Sequence, residues 1–97
     1  HYRRAVNLNP GYAEAHNNLA LVLGAQQKYL EAEKHFLRAI AAKPDLSNAY
    51  FNLGCLFVDT GRTTDAAVQF RKTLALDPDN ANAHAELANL VGKQEQL

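Results

Sequence analysis

The chain has 97 residues, enough for one small domain, and its 10 Lys plus Arg balance 10 Asp plus Glu to a formal net charge of zero. That balance argues against a dedicated nucleic-acid binder, which carries a basic excess. No apolar run reaches the roughly 18 residues that cross a bilayer, so no membrane span is expected.

His1 to Asn9 reads as the end of a helix, with Tyr2, Ala5 and Val6 on one face and Arg3 and Arg4 off it. Pro10 then biases Asn9 away from helix. The spacing predicts a helix from Ala13 to about Gln26, with Ala15, Leu19, Val22 and Leu23 as its apolar stripe and Ala20 completing the packed face. Its start, Pro10-Gly11-Tyr12, lacks a strong N-cap. Lys28 and its neighbours form a turn. A second helix follows from Leu30 to Ala42, with Ala32, Phe36, Ala39 and Ile40 inward. Asp45 is a candidate N-cap for a helix from Ser47 to Asp59. Thr63 or Thr64 is a candidate cap for Asp65 to Leu76, and Asp79 for Ala81 to about Lys93. The segment from Gly92 to Leu97 is expected to fray. Helices of about 13 residues are marginal in isolation, so their stability must come from stacking on neighbours.

A period runs through these elements. Pro10, Pro44 and Pro78 stand 34 residues apart, and each ends the same phrase: Tyr2 and Ala5 before Pro10, Phe36 and Ala39 before Pro44, Phe70 and Thr73 before Pro78. The fullest copy runs from Ser47 to Asn80 and reads Tyr50-x2-Leu53-Gly54-x2-Phe57, then Ala66-x3-Phe70, then Pro78. Small residues recur in register as Ala20, Gly54 and Ala88, and as Ala32 and Ala66. A large side chain at either set would push helices apart. One place departs from the period. Gly61 ends the helix before Thr63 where a left-handed residue is needed, and Gln27 stands at the matching position. A non-Gly residue there costs on the order of 1 kcal/mol, so the turn is expected to survive.

These residues resemble the tetratricopeptide repeat, a 34-residue helix–turn–helix unit with an aromatic, Leu-Gly, an aromatic, Ala, Phe and Pro at these spacings. The resemblance implies an all-α fold, a right-handed superhelix of antiparallel helix pairs, or α-solenoid. It would make residues 1–97 one domain: the end of a preceding repeat over 1–12, whole repeats over 13–46 and 47–80, and the first helix of a further repeat over 81–97. Leu87, Leu90 and Val91 would then lack a covering helix, and weak self-association through the repeat ends is expected.

Residues that carry chemistry do not converge. Of the four histidines, His16 and His84 are two periods apart, about 20 Å at one helix diameter per repeat, too far to share a metal. Both occupy the slot of Tyr50, where a half-buried ring is expected. His35 is expected at the surface with Glu31 one turn back. Cys55 is the single cysteine, which excludes an internal disulfide. It has no ligand-spaced partner and no basic neighbour to lower its pKa. The chain lacks CxxC, HExxH, Walker A and dinucleotide-loop sequences. No enzyme activity, cofactor or metal is therefore expected. Arg4, Arg38 and Lys72 form a basic row at the period, late in second helices where cations complement the macrodipole.

Function is expected in the concave groove. In the family that the chain resembles, peptides bind along the first helix of each repeat. The matching places are Asn17, Asn18 and Leu21; Phe51, Asn52 and Cys55; and Ala85, Glu86 and Asn89. Side-chain amides can bond an extended peptide backbone without reading its sequence, while Phe51 and Leu21 offer apolar contact. Asn17, Asn82 and Glu86 stand where a clamp for a free carboxylate would need Lys or Arg. The strings Ala15-His16-Asn17-Asn18-Leu19 and Ala49-Tyr50-Phe51-Asn52-Leu53 look like the asparagine ladder in the repeat region of O-linked N-acetylglucosamine transferases, which Glu86 would interrupt. The expected function is a protein–protein interaction scaffold that holds an extended segment of a protein or peptide partner. The alternatives are a non-catalytic targeting segment of a larger enzyme such as a glycosyltransferase, and a structural or self-assembly spacer.

Overall fold

The structure, a computed structural model, describes residues 11–95. The helix expected over 1–9, with Tyr2 and the basic Arg4, lies outside them. Five helices fill the described chain: α1 Gly11–Ala25, α2 Tyr29–Ala42, α3 Ser47–Asp59, α4 Thr63–Leu76 and α5 Ala81–Glu95. The described residues contain no strand. Connections of three and four residues leave consecutive helices antiparallel neighbours. Helix α1 packs on α2 and α3 on α4, and each pair joins the next element through its second helix.

The two turns inside these pairs are copies at the 34-residue spacing. The Lys28 N–H donates to Leu23 C=O at 2.9 Å and the Arg62 N–H to Phe57 C=O at 2.7 Å. Gln27 N–H reaches Gly24 C=O, as Gly61 N–H reaches Val58 C=O. Gln27 adopts φ +66° and Gly61 φ +80°, so the glutamine takes the left-handed conformation that the glycine takes cheaply. The turn survives the replacement, as expected.

The caps differ from expectation. Helix α3 is preceded by Leu46 and α4 by Arg62, neither with a side-chain cap bond. Asp45 stands one residue too early, because buried Leu46 takes the capping position. Helix α4 starts two residues sooner than expected, which places Thr63 and Thr64 inside its first turn. At α5 the cap is Asn80 rather than Asp79: its Oδ1 accepts the Ala83 N–H at 2.9 Å. Helix α5 also continues to Glu95, past the point where fraying was expected. Arg38 and Lys72 each fall just short of the last turn, so macrodipole compensation does not explain them. Lys72 instead places its Nζ 5.7 Å over the Tyr50 ring.

The main core joins Ala20, Leu23, Ala32, Phe36, Leu53, Leu56, Phe57, Ala66, Ala67, Phe70 and Leu90. A smaller cluster of Ala13, Ala39, Leu46 and Ala49 ties the other ends of α1 and α2 to the start of α3. Gly54 lies against the Phe70 ring, where an added Cβ would come within 2.7 Å. The stripe expected on α1 is rotated. Ala13, Asn17, Ala20 and Leu23 are buried, whereas Leu19 is 43% exposed and Val22 and Ala15 are also exposed. The period mate of Leu19 is Leu53, only 1% exposed. The difference is one of neighbours: α3 has α2 before it, and no described helix precedes α1. On α5 the expected apolar face is largely used. Leu90 is buried and Leu87 packs against the main core, while Ala88, mate of Gly54, is exposed because no described helix follows.

Candidate functional site

Helices α1 and α3 run side by side, and between them lies a cleft of about 210 Å³. It exists because α1 is narrow there. Ala20, Gly24 and Ala25 line one wall, where the period places Gly54, Val58 and Asp59 in α3. Leu21 stands at the lip, half exposed. Asn52, Cys55, Leu56 and Asp59 form the α3 wall, and Phe36 of α2 lies among the lining residues.

The structure separates the residues expected in the groove. Leu21, Asn52 and Cys55 meet in the cleft. Asn18 and Asn89 are exposed on α1 and α5. Asn17 is not free for a partner: it is 7% exposed, and its Oδ1 accepts a hydrogen bond from Asn52 Nδ2 at 3.1 Å. The bond crosses between the inner helices, and it leaves Asn52 its carbonyl oxygen and one further N–H. Phe51 is half-buried, its ring centroid 5.6 Å from that of Phe70, so much of its apolar surface serves the core.

Charge in the cleft is negative. Burial pushes the Cys55 thiol up to about 11, and Glu86 and then Asp59 push in the same direction. Of the two carboxylates, Asp59 lines the cleft and Glu86 lies on α5 outside the lining. Neither forms an ion pair among the described residues, whose salt bridges are those of Arg62 to Glu33 and to Asp65. Cys55 is a free, half-buried thiol, and no group of three or more metal-ligating side chains occurs among the described residues. The raised pKa keeps it a thiol rather than a nucleophilic thiolate at neutral pH.

The histidines also part company. His16 is half-buried with Tyr12 edge-on at a centroid distance of 4.4 Å, as its aromatic slot predicts. Its period mate His84 is exposed, with Nε2 2.8 Å from Pro78 O. Lys72 of α4 covers Tyr50 in the same slot of α3, and no described helix does this for His84. His35 is not a surface residue beside Glu31. It is half-buried and meets His16 across the α1–α2 interface.

Sequence spacing alone did not point to Asp59, Gly24 or the Asn17–Asn52 bond. A signal for the last exists in hindsight: the two residues are 35 apart, one more than the period. An offset of one places them on facing flanks of successive inner helices rather than in line.

The sequence profile of the family described as tetratricopeptide repeat matches residues 11–79. Among solved structures, the crystal structure of MamA is similar with a TM-score of 0.85 at 23% identity, over 91% of this chain and 52% of that one. At that identity the likeness is one of fold, and the chain spans about half the length of MamA. No curated protein matches the chain.

Proposed function

The chain belongs to the tetratricopeptide repeat family, and from that premise we propose that it binds an extended segment of a protein partner along the α1–α3–α5 face, with the cleft at Leu21, Asn52 and Cys55 as the anchor. The family supplies the coarser statement: this is a protein-interaction scaffold built of helical repeats. The observation that carries the finer one is the cleft itself, a largely apolar slot with the Asn52 amide and the Asp59 carboxylate on its wall.

The groups divide the work. Asn18, Asn52 and Asn89 offer side-chain amides to a peptide backbone. Leu21 and the exposed part of Phe51 take apolar side chains. Glu86 and Asp59 favour a lysine or arginine of the partner, whose aliphatic stem would lie on the apolar wall while its head meets a carboxylate. Each backbone hydrogen bond contributes roughly 0.5–1.5 kcal/mol net, so binding rests on several small terms. Asn17 enters as a positioning residue, through its bond to Asn52.

The test is titration of a partner captured by pull-down, followed by calorimetry on variants. Gly24→Val installs the residue found one period later and fills the cleft; the nearest outside atom to its new Cβ is Leu56 Cδ1 at 4.0 Å, an ordinary contact. This variant is expected to keep the parent melting temperature and lose most affinity. Asn18→Ala should weaken binding modestly and the Asn18→Ala/Asn52→Ala pair clearly. Arg38→Ala, exposed on α2, is the control. Loss of binding in Arg38→Ala with normal binding in Gly24→Val would move the site to the convex face.

A further inference from the structure

The contact between His16 and His35 is unlike any other among the described residues. Their Nδ1 atoms are 2.8 Å apart, their ring planes differ by 18°, and their centroids lie 5.0 Å apart. A face-to-face pair with so short a nitrogen contact would bring the centroids much closer. The centroid distance leaves room for the 2.8 Å gap and little beyond the two ring radii. The rings therefore meet edge to edge in nearly one plane, nitrogen pointing at nitrogen. Only one arrangement satisfies both: one ring donates Nδ1–H and the other accepts at its Nδ1 lone pair. The facing lone-pair directions suit a shared proton. A tetrahedral or octahedral ion would need both nitrogens to point at a common third point.

We propose that the His16–His35 pair is an acid-released latch between α1 and α2. The proton count explains why. The neutral pair carries one proton between the facing nitrogens. A first added proton goes to the outward Nε2 of the donor ring, leaves the bridge in place and makes it charge-assisted. A second added proton can go only to the accepting Nδ1. Two N–H groups then face each other, both rings are cationic, and the bond is lost. Release is thus tied to the second proton.

The surroundings favour release. Tyr12 of α1 faces His16 with a ring edge, and α2 contributes His35 and the Arg38 cation. No described carboxylate forms an ion pair with either ring. Burial, His35 and Arg38 hold the His16 pKa below its usual 6.5. The sign follows. For the proton that breaks the bridge, the opened state binds more readily, so the bridge is kept above about pH 6.5 and is lost as pH falls through the lower folded value of His16. The latch lies between the two parts of the core. One turn from His16 and His35 on one side lie Ala13 and Ala39 of the small cluster, and one turn away on the other lie Ala20 and Ala32 of the main core. The pair is particular to the α1–α2 repeat: the matching residues in α3 and α4 are Tyr50 and Gln69.

The test uses those mates. His16→Tyr/His35→Gln gives the α1–α2 pair the residues that the α3–α4 pair already carries. Amide hydrogen exchange of α1 and α3 is followed from pH 7.5 to 5, corrected for intrinsic exchange, in parent and double variant. In the parent, α1 protection is expected to fall about tenfold per pH unit for each proton taken up on opening, while α3 protection changes less. In the variant the two helices should respond alike. Equal pH dependence of α1 protection in parent and variant overturns the proposal. Imidazole nitrogen shifts of the parent give a second reading that needs no variant. At pH 7.5 one ring should carry its proton on Nδ1 and the other on Nε2, and finding both rings as Nε2–H tautomers overturns it.

Discussion

Gly54→Ala tests the packing at its tightest point. On propensity alone the change should help, since Gly in a helix interior costs about 1 kcal/mol relative to Ala. The structure reverses the sign. A Cβ at Gly54 would lie 2.7 Å from Phe70 Cε1, 2.9 Å from Cδ1 and 3.0 Å from Cζ. Three contacts this short fall on one rigid ring, and that ring is 0% exposed with Phe51 packed beside it. The overpacking penalty is about 1–3 kcal/mol, and with three close contacts we place it at the upper end. Against the propensity gain, the net loss is about 1–2 kcal/mol. The period sets a ceiling on that loss: Ala20 occupies the same place in α1, fully buried in the same core as Phe36, so the α3–α4 pair need only shift toward the spacing that α1–α2 already has. A domain of this size moves by roughly 4–8 °C in Tm per kcal/mol. Calorimetric or circular-dichroism melts should therefore place Gly54→Ala at least about 4 °C below the parent, and Gly54→Leu further down by several kcal/mol. Gly54→Ala/Phe70→Leu should cost less than the sum of its parts, because the shorter side chain gives up the clashing atoms. A Gly54→Ala protein that melts at or above the parent would refute the packing argument.

Gly92→Ala makes the opposite case: its new Cβ meets nothing within 4 Å, and because α5 runs on to Glu95, a gain of up to about 1 kcal/mol is expected in the same melts. Gln27→Gly should stabilise by about 1 kcal/mol, since glycine removes the strain of φ +66°; a loss of stability would mean the side chain holds the turn by contacts of its own. Asn52→Ala strands the buried Asn17 oxygen and should cost about 1–3 kcal/mol in urea unfolding. Cys55, with its thiol raised to about 11, should react with iodoacetamide far more slowly at pH 8 than a free thiol of ordinary pKa, and Glu86→Gln with Asp59→Asn should bring the rate up.

The period made most of the fold legible, because each helix repeats a pattern whose meaning is set by its neighbours two elements away. The places where reading failed are those where the period and the neighbours disagree. Leu19 and Leu53 carry the same side chain at the same register, yet one is exposed and the other buried, because burial belongs to the pair of helices and not to the residue. The same holds for His84 against Tyr50. Caps failed for a different reason: Asp45 and Leu46 compete for one position, and the apolar burial of Leu46 decides it. In the groove, Leu21, Asn52 and Cys55 were legible as neighbours from helical spacing. The redirection of Asn17 and the meeting of His16 with His35 depend on side-chain rotations across an interface, which no one-dimensional period encodes.

The bond from Asn52 to Asn17 also has a mechanical reading. Repeat solenoids respond to force and to bound partners by flexing along their length, and the inner helices spread or close as they do so. Spreading α1 from α3 stretches a 3.1 Å hydrogen bond whose acceptor is already buried, which adds roughly 1 kcal/mol to the apolar contact that opening also gives up. Closing compresses only the empty slot above Gly24 and Ala25. The restoring force between these inner helices is therefore unequal in the two directions, stiffer against straightening and softer toward tighter curvature.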